Sequence, residues 1–204
     1  MTASQQAHRD FLNRYYGAFR HVYDLSRKYY LFGRDRALRE LLEEPWESLV
    51  EVGPGTGRNL IKLRRGRRHA SYGGVEASDA MLELARRRCP WANLVHGFAE
   101  DCDYAAVHGE PPDRILFSYC LSMVQEPTRA LENAQRSLAP GGEVLVVDFA
   151  DLGGVPTPFR GLLSRWLATF HVEPLDLGLL HDHDAAVRFG PGRYYLIARL
   201  SPRP

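Results

Sequence analysis

The 204-residue sequence predicts an α/β fold: a mainly parallel sheet covered by helices on both faces and finished by a C-terminal β-hairpin. Three observations predict it. From Leu49 onward, short apolar runs alternate with segments of helical period; three alternating glycines separate the first run from the first of those helices; and two strand-like runs flank a Pro-Gly turn near the C-terminus.

The elements follow in order. SLVEV is a short buried strand, and GRNLIKLRR opens a helix directly after the glycines. SYGGVEAS is a second strand; Ser78 then caps a helix that carries Met81, Leu82, Leu84 and Ala85 and is stopped by Pro90. ANLVHGFA is a third strand, and DRILFSYC a fourth, apolar enough to lie centrally. Ala130, Leu131, Ala134 and Leu138 repeat at helical spacing until the Pro140-Gly141-Gly142 turn, and EVLVVDF is a fifth strand. AAVRFG and RYYLIARL form the hairpin. Residues 8–44 read as two helices outside the sheet core, which divides the chain into an N-terminal helical segment, 1–45, and a sheet domain, 46–204.

Composition narrows the function. Formal net charge is +1, so nucleic acid is not an expected partner; the basic stretches IKLRRGRRHA and ELARRRC read as solvated helix faces and ends. Cys89, Cys102 and Cys120 lack pair spacing, which argues for a reducing cytoplasm and against a disulfide framework or a zinc site. MTASQQAHRDF has no signal-peptide core, and no apolar run approaches the roughly 18 residues of a membrane span. The expectation is a cytoplasmic protein of open oligomeric state.

LVEVGPGTGRNL carries the most chemistry. Glycines beyond a strand end let the backbone turn tightly and meet a ligand with no side chain between. A dinucleotide fingerprint wants G-x-G-x-x-G, but here the third glycine comes one residue early, at Gly57, and Arg58 takes its place. No Gly-Lys-Ser/Thr follows, which excludes a phosphate-binding P-loop. What remains is E-x-G-x-G-x-G, and a carboxylate at Glu51 suits a cationic ligand better than a pyrophosphate. S-adenosylmethionine, with an ammonium and a sulfonium and no phosphate, is the ligand this acid favours. Glu76, closing the second strand, is placed to accept the hydroxyls of a ribose.

With LVEVGPGTG, GGVEASDAM, LFSYCLS and LAPGGEVLVVDF in this order, the sequence resembles the class I S-adenosylmethionine-dependent methyltransferases over about residues 46–200. The resemblance implies a Rossmann-like seven-stranded sheet whose last strand is antiparallel. It also implies that Gly53, Gly55 and Gly57 line the methionine part, that Asn59 is among the cofactor-binding residues, that Glu51 sits near the ammonium, and that Glu76 holds the ribose. Ala77 and Met81 would lie beside sugar and adenine. Phe98-Ala99-Glu100 falls at the adenine position; Phe98 departs from the aspartate common there, which moves the contact to the Ala99 amide or Glu100. Ser118 and Tyr119, ending the fourth strand, would pass beneath the reacting methyl.

RHVYDLSRKYYLFGRDRAL, PTPFRGLLSRWLATFHVEPLDL, SYCLSM and VVDFADL further resemble the diacylglycerylhomoserine N-methyltransferases of bacterial betaine-lipid synthesis. That implies an amine acceptor on a lipid head group. An amine gains positive charge as it is methylated, and aromatic faces suit that charge. Tyr23, Tyr30 and Tyr119 are the tyrosines expected there, with Arg27 or Arg34 paired to a carboxylate of acceptor or cofactor, and His171 accepting the amine proton. HDHD, 181–184, has metal-ligand residue types but sits in a loop with no third cluster, so no metal is expected; VVDFADL, with Asp148 and Asp151, fits the betaine-lipid pattern better than metal-dependent methylation. Phe159, Leu162, Leu163, Trp166, Leu167 and Phe170 recur at helical spacing with Arg160 and Arg165 between them. This stripe either packs on the sheet or lies on an anionic membrane, peripheral at its inner face. Two other readings stay open: methylation of a soluble amino acid or natural-product amine, and a non-catalytic S-adenosylmethionine-binding protein.

Overall fold

The structure, a computed structural model, describes residues 31–168 and 174–203, so the expectations for Tyr23, Tyr30, Arg27, His171 and Phe170 lie outside the described residues. The strands are β1 Ser48–Val52, β2 Ser71–Glu76, β3 Asn93–His96, β4 Arg114–Ser118, β5 Glu143–Phe149, β6 Ala186–Phe189 and β7 Tyr195–Leu200. The helices are α1 Arg34–Glu43, α2 Arg58–Gly66, α3 Asp79–Arg88, α4 Tyr104–His108, α5 Pro127–Ser137, α6 Thr157–Ala168 and α7 Leu177–Asp182.

The strands form one sheet in the order β3-β2-β1-β4-β5-β7-β6. The β1, β2, β3, β4 and β5 pairings are parallel, while β7 runs antiparallel to both β5 and β6. Chain order reverses between β1 and β4, and such a reversal opens a crevice at the carboxyl ends of the strands. Alternation along each strand feeds two cores. In β5, Leu145, Val147 and Phe149 join Leu38, Leu49, Leu63 and Leu116 on one face, while Val144 and Val146 join Val50, Ile115, Phe117 and Leu131 on the other. Ser78 caps α3 as expected, its hydroxyl accepting from the Met81 amide at 3.5 Å.

Three readings need correction. The segment before the sheet was expected outside the core, yet Ala37, Leu38 and Leu41 of α1 are fully buried among residues of the first face. Their i, i+1, i+4 spacing presents an apolar stripe, and the stripe is spent on the sheet. α4 was not expected; it is one turn long, too short for a periodic signal, and is started by Asp103, whose carboxylate accepts from the Ala106 amide at 3.0 Å. HDHD is only partly loop: His181 and Asp182 close α7, His183 and Asp184 lie in the turn that follows, and His183, 2% exposed, places Nδ1 2.8 Å from Gln135 Oε1.

α1 is anchored at its start. Gly33 has φ 84°, and a Cβ there would lie 2.2 Å from the Tyr195 ring. We expect Gly33→Ala to lose about 2–4 kcal/mol of stability, from left-handed strain plus overpacking, read by urea unfolding. An unchanged midpoint would mean that Tyr195 does not seat this turn.

Candidate active site

The chain leaves β1 through a turn that side chains would disfavour. Gly53, Gly55 and Gly57 have φ of 61°, 56° and 75°. The Gly53 amide donates to the Val75 carbonyl at 2.8 Å, the Gly57 amide to Pro54 at 2.8 Å, and the Gly55 amide to Glu76 Oε2 at 3.0 Å. At Gly57 a Cβ would lie 2.6 Å from Cys89 Sγ, so this glycine lets α3 pack against the loop. At Gly55 a Cβ would meet only the Gly53 carbonyl, at 4.0 Å, so the backbone there stands open to a ligand.

Beneath the turn lies Glu51, 1% exposed. Its Oε1 accepts from Asn59 Nδ2 at 2.7 Å; its Oε2 is buried with no hydrogen-bond partner among the described residues. Burial pushes the carboxyl up to about 8, against the Asn59 hydrogen bond and the charge of Arg34. Ser118 Oγ is likewise buried and unpartnered. Both groups line one cavity, together with Arg34, Gly53, Gly55, Thr56, Arg58 and Asn59. A buried polar atom without a partner costs about 1–3 kcal/mol, and a ligand that supplies the partner recovers it. Burial, and after it the neighbouring Arg58, disfavours the Arg34 cation, so a carboxylate in this cavity would relieve the pair.

These residues fit S-adenosylmethionine. Glu51 Oε2 offers an acceptor for its ammonium, and Arg34 with Arg58 offers cationic donors for its carboxylate. Glu76 is held by two amides, Gly55 to Oε2 and Ser78 to Oε1, both at 3.0 Å. A carboxylate oxygen can accept more than one hydrogen bond, so a Glu76 held in this way can also meet a ribose hydroxyl.

Other expected site residues have partners of their own within the fold. Met81 is 1% exposed and belongs to the buried side of α3, while Ala77, half-buried, holds its carbonyl 3.1 Å from His96 Nε2. The Ala99 carbonyl accepts from Tyr104 at 3.2 Å and Asn133 at 2.9 Å, and Glu100 Oε1 accepts from the Glu126 amide at 3.2 Å. Of the expected adenine triplet, Phe98 lines a cavity of about 410 Å³ with His96 and Gly97. Tyr119 is 3% exposed and has φ 55°; its ring packs edge-on to Phe149 at 4.6 Å and its hydroxyl donates to the Phe32 carbonyl. It is a core aromatic beside the cavity, and burial pushes its phenol well above the usual range. Asp151 pairs with Arg193 through two bonds of 2.7 Å, and no group of three metal-ligating side chains occurs among the described residues. Sequence reasoning missed Thr56 and Arg58 as lining residues; their signal was position, in the loop after β1.

The shift of Glu51 makes a testable pH dependence. A carboxyl whose folded pKa lies above its unfolded one binds more protons when folded, so stability falls as pH rises between the two. The Glu51 contribution is therefore complete below about 4.5 and is lost as pH climbs to about 8. We expect Glu51→Gln to flatten the fall in urea-unfolding free energy across that window; a slope equal to that of the wild type would assign it to another group.

The chain is similar to known methyltransferases. Residues 8–177 match the family model described as Methyltransferase domain. A demethylmenaquinone methyltransferase of Tropheryma whipplei is 30% identical over 128 residues, 59% of this chain and 49% of the relative. A dTDP-4-amino-2,3,4,6-tetradeoxy-D-glucose N,N-dimethyltransferase of Saccharopolyspora spinosa is 35% identical over 105 residues, 49% of this chain and 39% of the relative. The chain spans about half the length or less of these curated relatives. The plantazolicin methyltransferase BpumL, solved with S-adenosylhomocysteine, superposes with TM-score 0.66 at 16% identity over 90% of both chains. The chain belongs to the methyltransferase-domain family, and its fold is that of the S-adenosylmethionine-dependent methyltransferases.

Proposed function

We propose that this protein transfers methyl groups from S-adenosylmethionine to an amine, and that the amine sits on a lipid head group, the homoserine amine of diacylglycerylhomoserine. The observation that carries the methyl-donor half is the pair of buried, unpartnered oxygens, Glu51 Oε2 and Ser118 Oγ, on one cavity under the glycine turn. When bound, S-adenosylmethionine supplies an electrophilic methyl group. Glu51 and Asn59 orient the ammonium end, Arg34 and Arg58 take the carboxylate, and Glu76 fixes the ribose. Methyl transfer is an in-line displacement that asks the protein for approach geometry and exclusion of water.

An aromatic group at the same end of the sheet supports an amine acceptor. Phe149 lies 4.6 Å from Tyr119 and 5.8 Å from Tyr194, and Tyr194 lies 5.3 Å from Phe32, all edge-on. Phe32, the exposed ring of this group, would attract a developing ammonium by about 0.5–2 kcal/mol. The amine loses its proton before it attacks; the Tyr119 phenol, kept protonated by burial, is no base for it, and His171 is assigned that step. Tyr23 and Tyr30 are assigned to the same pocket. A relative named for N,N-dimethylation of an amino sugar supports nitrogen as the acceptor atom. Relatives named for demethylmenaquinone methylation favour a second reading, transfer to a quinone carbon.

Incubation with methyl-labelled S-adenosylmethionine separates these. We expect label in diacylglycerylhomoserine dispersed in detergent, with methylated amines identified by mass spectrometry. We also expect Phe32→Ala to lower kcat/KM by about 2- to 30-fold. Label in a demethylated naphthoquinone alone would replace the amine with a carbon acceptor. Label in an amino sugar nucleotide alone would keep the amine and remove the lipid. Cofactor binding with no transfer to any of the three would leave a non-catalytic binder.

A further inference from the structure

Four large apolar side chains stay exposed among the described residues: Phe32 at 57%, Phe159 at 64%, Leu162 at 70% and Phe189 at 38%. They gather around one pair of loops at the carboxyl end of the parallel strands. Phe32 packs edge-on to Tyr194, and the Phe189 ring is covered by the Arg193 guanidinium at 3.8 Å. The Arg193 loop is joined to the loop that enters α6, since the Gly154 amide donates to the Gly192 carbonyl at 3.2 Å and Arg193 holds Asp151. Arg160, next to Phe159, donates from one guanidinium nitrogen to the Gly153 and Val155 carbonyls at 3.0 and 3.1 Å.

α6 itself is fastened by a narrow stripe. Leu167 is 4% exposed and Leu163, one turn earlier, packs on the same core, whereas residues 157–162, Ser164 and Arg165 are exposed. The apolar repeat of this helix is thus divided: two leucines go to the sheet, and Phe159 and Leu162 go outward. The charge is one-sided. Residues 152–172 contain no Asp or Glu and two arginines, Arg160 and Arg165. Arg160 gives its hydrogen bonds to neutral carbonyls and has no acidic partner among the described residues.

We propose that this face docks the protein on an anionic lipid bilayer. Exposed aromatic and leucine side chains flanked by arginines match the composition that lies in a membrane interface. A second copy of the chain suits the face less well, because a two-fold contact sets the same patch against itself and brings Arg160 and Arg165 toward their own copies. The docked face is the end of the sheet where the cavity lies, so a lipid acceptor would arrive beside the methyl donor. The inference rests on the lipid reading for its purpose, though not for its test.

The test is sedimentation of the full 204-residue chain with phosphatidylcholine vesicles, with and without phosphatidylglycerol, in the absence of acceptor. Binding is expected on the anionic vesicles alone and is expected to weaken as salt is raised. At about fivefold per arginine near an anionic surface, the R160Q/R165Q double variant should partition about 25-fold less. R165Q alone, which removes no hydrogen bond or ion pair among the described residues, should partition about fivefold less. F159S/L162S should also detach, with its unfolding midpoint unchanged. No sedimentation at low salt, equal binding to neutral vesicles, or a dimer that F159S/L162S converts to monomer would each overturn the proposal. The lipid-acceptor reading fails separately: detergent-dispersed diacylglycerylhomoserine left unmethylated by a chain that still binds vesicles would sink that reading and keep the docking face.

Discussion

One carboxylate oxygen constrains much of this molecule. Glu51 lies in β1, flanked by β2 and β4, and cannot reach water along the sheet. An unpaired charge at such a position is strongly unfavourable, which is why the carboxyl is held up near 8. The surroundings are arranged about it. Asn59 must sit in the first turn of α2 to occupy Oε1, so α2 must begin directly after the turn. The turn must clear the space above Oε2, which the left-handed glycines allow. α1 contributes Arg34 to the same cavity. A cationic ligand converts this arrangement from a cost into a binding determinant, because it gives the buried oxygen its missing partner.

The end of the sheet beside the cavity depends on a second local choice. Tyr119 leaves β4 with a left-handed φ, unusual for a residue that has a Cβ, and its amide donates to the Val147 carbonyl at 2.7 Å. The turn sends the ring into the Phe149 and Tyr194 core and its hydroxyl to the Phe32 carbonyl. The segment that precedes α1 is thereby tied to the ends of β4, β5 and β7. The cysteines serve this frame as donors: Cys120 Sγ to the Val52 carbonyl at 3.1 Å and Cys89 Sγ to the Gly57 carbonyl at 3.5 Å. Burial pushes the Cys89 thiol up to about 11 and the Cys120 thiol well above its usual range, which keeps both protonated and in these contacts.

Much of this was legible in the sequence because it is written in periodicity and punctuation. The five parallel strands, the hairpin, the Ser78 cap and the glycine turn each carry a local signal, and Glu51 and Glu76 stand at strand ends where no packing argument is needed to notice them. Direction was harder to read. Glu100 was expected at adenine, but its carboxylate is drawn to the Glu126 amide, a partner supplied by a chain segment that local pattern does not position. Tyr119, expected under the methyl group, packs its ring on Phe149 next to Ser118, which lines the cavity. α4 and α7 are too short to show a period. In α6 the apolar repeat was plain, but which leucines face the sheet depends on how the helix is seated, and Leu163 and Leu167 are the pair so placed.

The most direct test of the account is a crystal structure with S-adenosylhomocysteine. The amino nitrogen of the ligand is expected within about 3 Å of Glu51 Oε2, with the ribose hydroxyls on Glu76 and the turn at Gly55 otherwise unmoved. A bound ligand whose amino group lies elsewhere, with Glu51 Oε2 still buried and unpartnered, would contradict it.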